Sequence, residues 1–300
     1  MRVPALFEKD AYTVGFAQAA NETPWRIAQT ASMQDEAARV GCRLVCTDAR
    51  GSAAQQVLDV NSMVAQGVDL IFLSPIEGTS IVPAVGDAKA AGVPVVLLDR
   101  RLDPSPATAA GDCLTFMGSD FVEQGRRLAE WLVRNADGKT KIIEIEGAAG
   151  AAPAVGRKKG FDEALAAAGG FKVLASQSGD CVRDKGRRIA ETLLGTHPDA
   201  NVVYAHHEEM ALGAVAALDA AGRTPGLDVI VLSVGGGREI LQAVADGRVN
   251  AVVECNPRFG PLAFETLHRY ANGEQIGPWV KQADGFFDMA SAGAGISHAY

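Results

Sequence analysis

Short, nearly unbroken apolar runs recur along the chain, and each gives way to a stretch with helical spacing. Residues 12–19 (YTVGFAQA), 42–47, 69–73, 93–98 and 113–117 read as strands, and 25–40, 53–66 and 79–91 as helices. Runs without polar alternation are the mark of strands covered on both faces, as in a parallel sheet. Gly67 and Gly92 stand where two of the helices should close. A Pro/Ala/Gly loop occupies 103–112, and Gly118-Ser119-Asp120 looks like a crossing point, because the β–α rhythm then restarts. Helix 121–135, strand 140–146, helix 154–168, strand 171–177, helix 183–195, strand 201–205, helix 208–221, strand 227–234, helix 237–246, strand 249–254 and helix 260–272 follow, and a polar, glycine-bearing tail ends the chain.

The second half echoes the first. Strand 42–47, Asp48 and Gly67-Val68-Asp69 are matched by strand 171–177, Asp180 and Pro198-Asp199-Ala200-Asn201, and each block leads into an apolar strand, 70–73 or 202–205. The expected fold class is therefore α/β, with two doubly wound parallel-sheet lobes and right-handed crossovers. Facing lobes would line a cleft with the carboxyl ends of both sheets, where ligands of open α/β sheets bind.

Composition narrows the function. The chain has 300 residues, 48% hydrophobic and 21% charged, enough for one large or two medium domains. A net charge of -8 and a pI near 5.2 argue against a nucleic-acid partner. No apolar run approaches the roughly 18–20 residues that cross a bilayer. The opening residues Met1-Arg2-Val3-Pro4-Ala5-Leu6-Phe7 lack the apolar core of a signal peptide, so the protein is either cytoplasmic or numbered from after a removed signal. The cysteines, Cys42, Cys46, Cys113, Cys181 and Cys255, form neither a disulfide framework nor a zinc pattern; small buried hydrophobes are the simpler reading.

Candidate chemistry gathers just beyond strand ends. Val93 through Leu98 stops on Asp99-Arg100, an acceptor beside a planar fork of donors, which suits a polyhydroxylated ligand or makes a local ion pair. Trp25-Arg26 opens a helix, where the Trp face could stack on a sugar ring or pack in its own core. Asn21 and Glu22 share the preceding loop, as ligand contacts or helix caps. Arg157 begins a helix after strand 140–146, facing a cleft or making a surface salt bridge. His206-His207-Glu208-Glu209 is not H-E-x-x-H, and adjacent helical positions diverge by about 100°, so no metal is expected and His207 reads as a hydrogen bonder at a helix start. Gly235-Gly236-Gly237 opens another helix, either as a tight turn or with backbone N–H groups free for an anion. Glu254 closes the last long strand. No G-x-S-x-G occurs and no cofactor motif is present; Asp99 and Glu254 would form an acid pair only if the fold brings them together.

Thr13-Val14-Gly15-Phe16-Ala17-Gln18, Glu22-Thr23-Pro24-Trp25-Arg26, Gln66-Gly67-Val68-Asp69, Pro94 through Arg100, Arg157-Lys158-Lys159-Gly160-Phe161, Ser176 through Asp180 and Tyr204-Ala205-His206 together resemble the ribose/galactose-type periplasmic sugar-binding proteins of ABC importers (periplasmic binding protein type I), closest to the galactofuranose-binding branch. The likeness runs from about Thr13 to Ala263. It implies two lobes joined by a hinge of three crossing strands, 1–118 with 256–284 and 119–255 with 285–300, in a family that is itself a standing example of hinge closure around a ligand. It also implies a monosaccharide gripped by Trp25, Arg26, Asp99, Arg100 and Arg157, an inner-membrane ABC permease as partner, a monomer, and a periplasmic location after removal of a signal peptide. Three departures bear on the ligand. His207-Glu208 stands where the family usually has Asn-Asp, Gly235 where it has a hydroxyl-binding Asp, and Cys181 where relatives often carry an aromatic. These departures admit a sugar acid bound near Gly235–Gly237 as an alternative to a neutral aldose.

Two other classes compete. A sugar-responsive transcriptional regulator would need a DNA-binding helix-turn-helix ahead of the first strand, and Met1 to Ala11 is too short for one unless the chain is truncated. A sugar-converting enzyme would need a general base, and the expectation is a non-enzyme.

Overall fold

The structure, a computed structural model, describes residues 3–102, 112–136 and 140–300, so most of the loop expected at 103–112 lies outside the described residues. The strands are β1 Thr13–Gln18, β2 Arg43–Asp48, β3 Leu70–Leu73, β4 Val95–Leu98, β5 Thr115–Gly118, β6 Thr140–Glu146, β7 Phe171–Ser178, β8 Val202–Ala205, β9 Ile230–Gly235, β10 Ala251–Glu254, β11 Trp279–Lys281 and β12 Phe286–Asp288. They form two six-stranded sheets, ordered β11-β5-β4-β3-β1-β2 and β12-β10-β9-β8-β6-β7. Met1–Ser119 with Pro257–Gln282 is one compact unit, and Asp120–Asn256 with Ala283–Tyr300 is the other.

In each sheet the core strands run parallel, and the order reverses beside the first strand, at β1/β3 and at β6/β8. The echo between strands 42–47 and 171–177 is thus a match of β2 with β7, each the outer partner of its unit's first strand. Burial on both faces explains the unbroken apolar runs. Leu70 and Phe72 enter one core layer with Val14, Phe16 and Val96, whereas Ile71 and Leu73 enter the opposite layer with Ala17, Val95 and Leu97. In the second sheet Val203 and Ala205 face one layer and Val202 and Tyr204 the other.

Most helices fall where the spacing predicts. Phe121–Asn135 coincides with the expected range. The helix expected from 79 begins only at Val82, where Pro83 sits in the first turn with its fixed φ. The strand expected from 227 begins at Ile230, because Gly226 (φ +81°) and the Asp228 carboxylate, which accepts from Thr224 N–H at 2.6 Å, hold 224–228 in a turn. The tail is not irregular throughout: β11 adds parallel to β5 in one sheet, and β12 adds antiparallel to β10 in the other.

Candidate functional site

Parallel strands end on one edge, so residues just past their carboxyl ends collect there. In the first unit these are Gln18, the last residue of β1, with Ser74 and Asp99, which follow β3 and β4. Helix Pro24–Arg39 starts beyond β1 with Thr23 as its cap, accepting from Arg26 N–H at 3.3 Å, so neither Asn21 nor Glu22 caps it. Asn21 instead accepts from the Thr30 hydroxyl at 3.0 Å, and Glu22 stays exposed. The first helical turn delivers Arg26 to the edge, only 8% exposed. Its Nη1 donates to Gln29 Oε1 (3.0 Å) and its Nη2 to Asp99 Oδ2 (2.8 Å).

Beneath the arginine is a floor of neutral amides. Gln18 Nε2 donates to Gln29 Oε1 and to Thr30 Oγ1 at 3.0 and 3.1 Å, and Gln56 Nε2 donates to the Ser74 carbonyl at 2.8 Å. Asp99 holds φ +67°, a left-handed conformation that Asp tolerates better than most residues, and that turn sets its carboxylate on Arg26. The half-buried Trp25 ring meets Phe259 edge-on at 6.2 Å and has the Arg26 guanidinium 4.8 Å from its centroid. Core packing and pairing with the arginine therefore coexist. Arg100 diverges from the group. Its side chain is 53% exposed, its Nη1 donates to the Ile76 carbonyl at 2.8 Å, and its Nε lies 3.8 Å from Asp99 Oδ2.

In the second unit Arg157 lies in the second turn of helix Ala152–Ala168, after β6. Gly156 and Gly160 flank it, and a Cβ on either would run into helix Phe121–Asn135, at Phe121 and at the Val122 carbonyl respectively. This close helix approach seats Arg157 at 6% exposure, with Nε on Gln124 Oε1 (2.8 Å) and Nη1 on the His206 carbonyl (2.7 Å). Gln124 is itself fixed by Asp284 at 2.8 Å. The His206 ring turns inward, 2.9 Å from Glu144, whose carboxylate also takes Lys158 and the Ser176 hydroxyl (2.7 Å).

His207 caps helix Glu208–Ala220, its Nδ1 accepting from Glu209 N–H at 3.2 Å. Burial, with the Arg157 charge beside it, pushes its pKa down to about 4, so the ring is neutral near pH 7. Glu208 Oε2 accepts from the N–H groups of Gly236 (2.7 Å) and Gly237 (2.9 Å). Burial raises the Glu208 pKa, against the lowering effect of those two bonds. Gly235 has no Cβ to spare, because one would collide with this carboxylate. Expecting the Gly235–Gly237 N–H groups to be free for a ligand anion therefore needs correction, since two of them already hold a carboxylate of the chain. Glu254, 9% exposed, accepts from Gly285 N–H at 3.2 Å.

Sequence reasoning missed Gln18, Gln29, Gln56 and Ser74, the role of Glu208, and Tyr300. The Tyr300 ring would sit 3.0 Å from a Cβ on Gly236, and burial with Glu208 nearby raises its phenol pKa well above the usual value. Gln18 and Ser74 had one available signal, a polar residue at the carboxyl end of an apolar strand. Tyr300 had none.

Two parallel, doubly wound units, each with a buried arginine at its strand-end edge, define a two-lobed α/β binding fold. The chain belongs to the periplasmic binding protein domain family, whose model matches residues 14–275. It is similar to the galactofuranose-binding protein YtfQ of Escherichia coli (strain K12), with 37% identity over 262 residues, 86% of this chain and 81% of the relative. Among solved structures, a Mycobacterium smegmatis protein in complex with β-D-fucofuranose matches with a TM-score of 0.81 and 38% identity, over 95% of this chain and 94% of that one. The binding component of the arabinose ABC transporter from Shewanella sp. ANA-3, bound to α- and β-L-arabinofuranose, matches with a TM-score of 0.83 and 35% identity, over 95% of each chain.

Proposed function

We propose that this protein is the sugar-recognising component of an ABC importer and takes a monosaccharide in furanose form. The observation that carries the reading is the pair of buried arginines, Arg26 and Arg157, each at the carboxyl edge of its own sheet. Each is held by acceptors that fix the guanidinium plane, so little ordering remains to be done when a ligand arrives. Relatives named for galactofuranose, fucofuranose and arabinofuranose support the ring form. Asp99 and Glu254 supply acceptors, and His207, Asn21, Glu22, Arg100 and Trp25 are further proposed contacts; Gly235 contributes by leaving room. A charged hydrogen bond contributes about 1.5–3 kcal/mol, and micromolar affinity needs about 8 kcal/mol, so a few such bonds with Trp25 stacking suffice.

The protein binds without turnover, works as a monomer in the periplasm, and hands its sugar to an inner-membrane permease. Among the described residues no helix is long and apolar enough to cross a membrane. Titration calorimetry with L-arabinose, D-galactose, D-fucose and D-ribose tests the reading. The expected result is micromolar or tighter binding of at least one, with unchanged sugar recovered afterwards. Binding of none, or conversion of the bound sugar, overturns it.

A further inference from the structure

Glu208 and the glycine run at the end of β9 make one structure from two distant pieces of chain. Glu208 opens the helix after β8, and its side chain reaches across to β9, where Oε2 takes both the Gly236 and the Gly237 N–H. Helix Arg238–Ala245 begins there, so the seat has the N–H groups and dipole that favour an anion. The chain's own carboxylate fills it. The fit is close: a Cβ on Gly235 would strike the carboxylate, and one on Gly237 would lie 2.8 Å from Glu208 Oε1. Oε1 itself accepts no hydrogen bond among the described residues. Glycine at 235 and at 237 is thus what lets a glutamate from the neighbouring strand end occupy the space of a side chain at 235.

We infer that Glu208 is the specificity-determining residue of the second unit, offering a fixed acceptor to the hydroxyls of a neutral sugar and excluding sugar acids. The inference rests on the proposed function. A carboxylate only accepts, so it needs a donor opposite; a hydroxyl supplies one, and a ligand carboxylate brings a second negative charge and no proton. With the anion seat already filled and Arg183 paired with Glu209 and Glu239, Arg157 is the edge cation with no carboxylate partner among the described residues, and a neutral polyol satisfies both it and Glu208 together.

Calorimetry on the full chain with two matched pairs, D-galactose against D-galacturonate and L-arabinose against L-arabinuronate, tests this. The expected preference for the neutral member is about 100-fold or more, and Glu208→Gln should reduce it at least ~10-fold by weakening the sugar and admitting the acid. A wild-type preference for the acid, or a full preference retained in Glu208→Gln, overturns the assignment. If wild type binds none of these four and neither D-fucose nor D-ribose, the proposed function fails by itself; if it binds none of the four, thermal melting decides the Glu208 assignment. Glu208→Ala vacates the N–H seat, so sulfate at matched ionic strength should raise its Tm more than that of wild type. Equal shifts would overturn the assignment.

Discussion

The two units solve the same topological problem but give their edge arginines different partners. In the first, the ions stand at the strand-end edge, where Arg26 pairs with Asp99 at 2.8 Å, and the layer beneath is neutral, made of Gln18, Gln29, Gln56 and Ser74. The second unit also carries ions at its edge, Glu208 on the glycine N–H groups and Arg183 between Glu209 and Glu239, but among the described residues none of them pairs with Arg157. Glu144 with His206 and Lys158 forms a buried network, while the edge arginine, Arg157, rests on neutral acceptors, an amide and a carbonyl. The first edge arginine is paired with a carboxylate before any ligand arrives; among the described residues Arg157 has no carboxylate partner. A ligand hydroxyl that approaches Arg157 competes with no carboxylate for it. At Arg26 it joins a pair already made.

The largest effect should come from the interior of the second unit. Glu144→Ala leaves His206 and Lys158 without their shared acceptor, and breaking a buried ionic network typically costs about 3–5 kcal/mol. Urea unfolding measures it, and a loss under about 1 kcal/mol would mean that the network is not the structural charge of this unit. Tyr204 offers a contrast on the same face. Its hydroxyl is buried with no partner among the described residues, so Tyr204→Phe should be neutral or stabilise by about 1 kcal/mol.

Next come the edge arginines, which the comparison says must behave differently. Arg157→Ala should weaken sugar binding by about 100-fold or more and cost about 1 kcal/mol of stability, less than Arg26→Ala, because the His206 carbonyl and the Gln124 amide lose a donor but no carboxylate is stranded. Arg26→Ala strands Asp99, so affinity and about 2 kcal/mol of stability should fall together. A double-mutant cycle sharpens the point: Arg26→Ala with Asp99→Ala should show a coupling of roughly 1–2 kcal/mol in unfolding. Additive single effects there would erase the distinction between the two edges.

The sequence analysis reached most of the fold because its signals are local. Unbroken apolar runs, helical spacing and turn glycines placed β1–β10 and the helices between them to within a few residues. It missed β11 and β12, three residues each, which have no period of their own and exist because an open sheet edge accepts them. The candidate site divides the same way. Arg26, Asp99, Arg157 and His207 were visible as polar residues at strand or helix boundaries. The Glu208 seat was not, because its logic joins the residues after β8 to those after β9, and each half by itself reads as a helix start or a tight turn. Glutamines 29 and 56 were hidden by being helical residues whose buried side depends on tertiary packing.

A smaller effect follows from His207. Its folded pKa, about 4, lies below the unfolded value near 6.5, so protons bind the unfolded chain preferentially between them. Its contribution to stability is present above about pH 6.5 and is lost as pH falls toward 4, by on the order of 2 kcal/mol. Glu208, with its pKa raised by burial, acts in the opposite sense: its cost is present at neutral pH and relieved as it protonates. His207→Asn keeps a cap while removing the titration, so its stability should fall less than that of wild type between pH 6.5 and 4. Identical slopes would show that the Arg157 field and burial are not felt at position 207.

The smallest effect should be at Arg100, and it bears on how far the pairing at the first edge extends. Adjacent to Asp99 in sequence, Arg100 was expected to grip the ring with it. Yet the left-handed turn at Asp99 sends the two side chains apart, the carboxylate to Arg26 and the guanidinium toward the Ile76 carbonyl and solvent. A half-exposed cation 3.8 Å from its carboxylate is a weak partner, since solvent screens the pair and ordering a long side chain offsets much of the gain. Arg100→Ala should therefore change stability by less than about 0.5 kcal/mol. In calorimetry it should weaken sugar binding by no more than about 10-fold, well short of Arg157→Ala, because its hydrogen bonds stay partly in water. A loss equal to that of Arg157→Ala would mean that Arg100 leaves Ile76 and joins Arg26 on the ligand. The first edge would then also bring an unmatched cation to the sugar, and the contrast between the units would lie in when the charge is exposed rather than in whether it is.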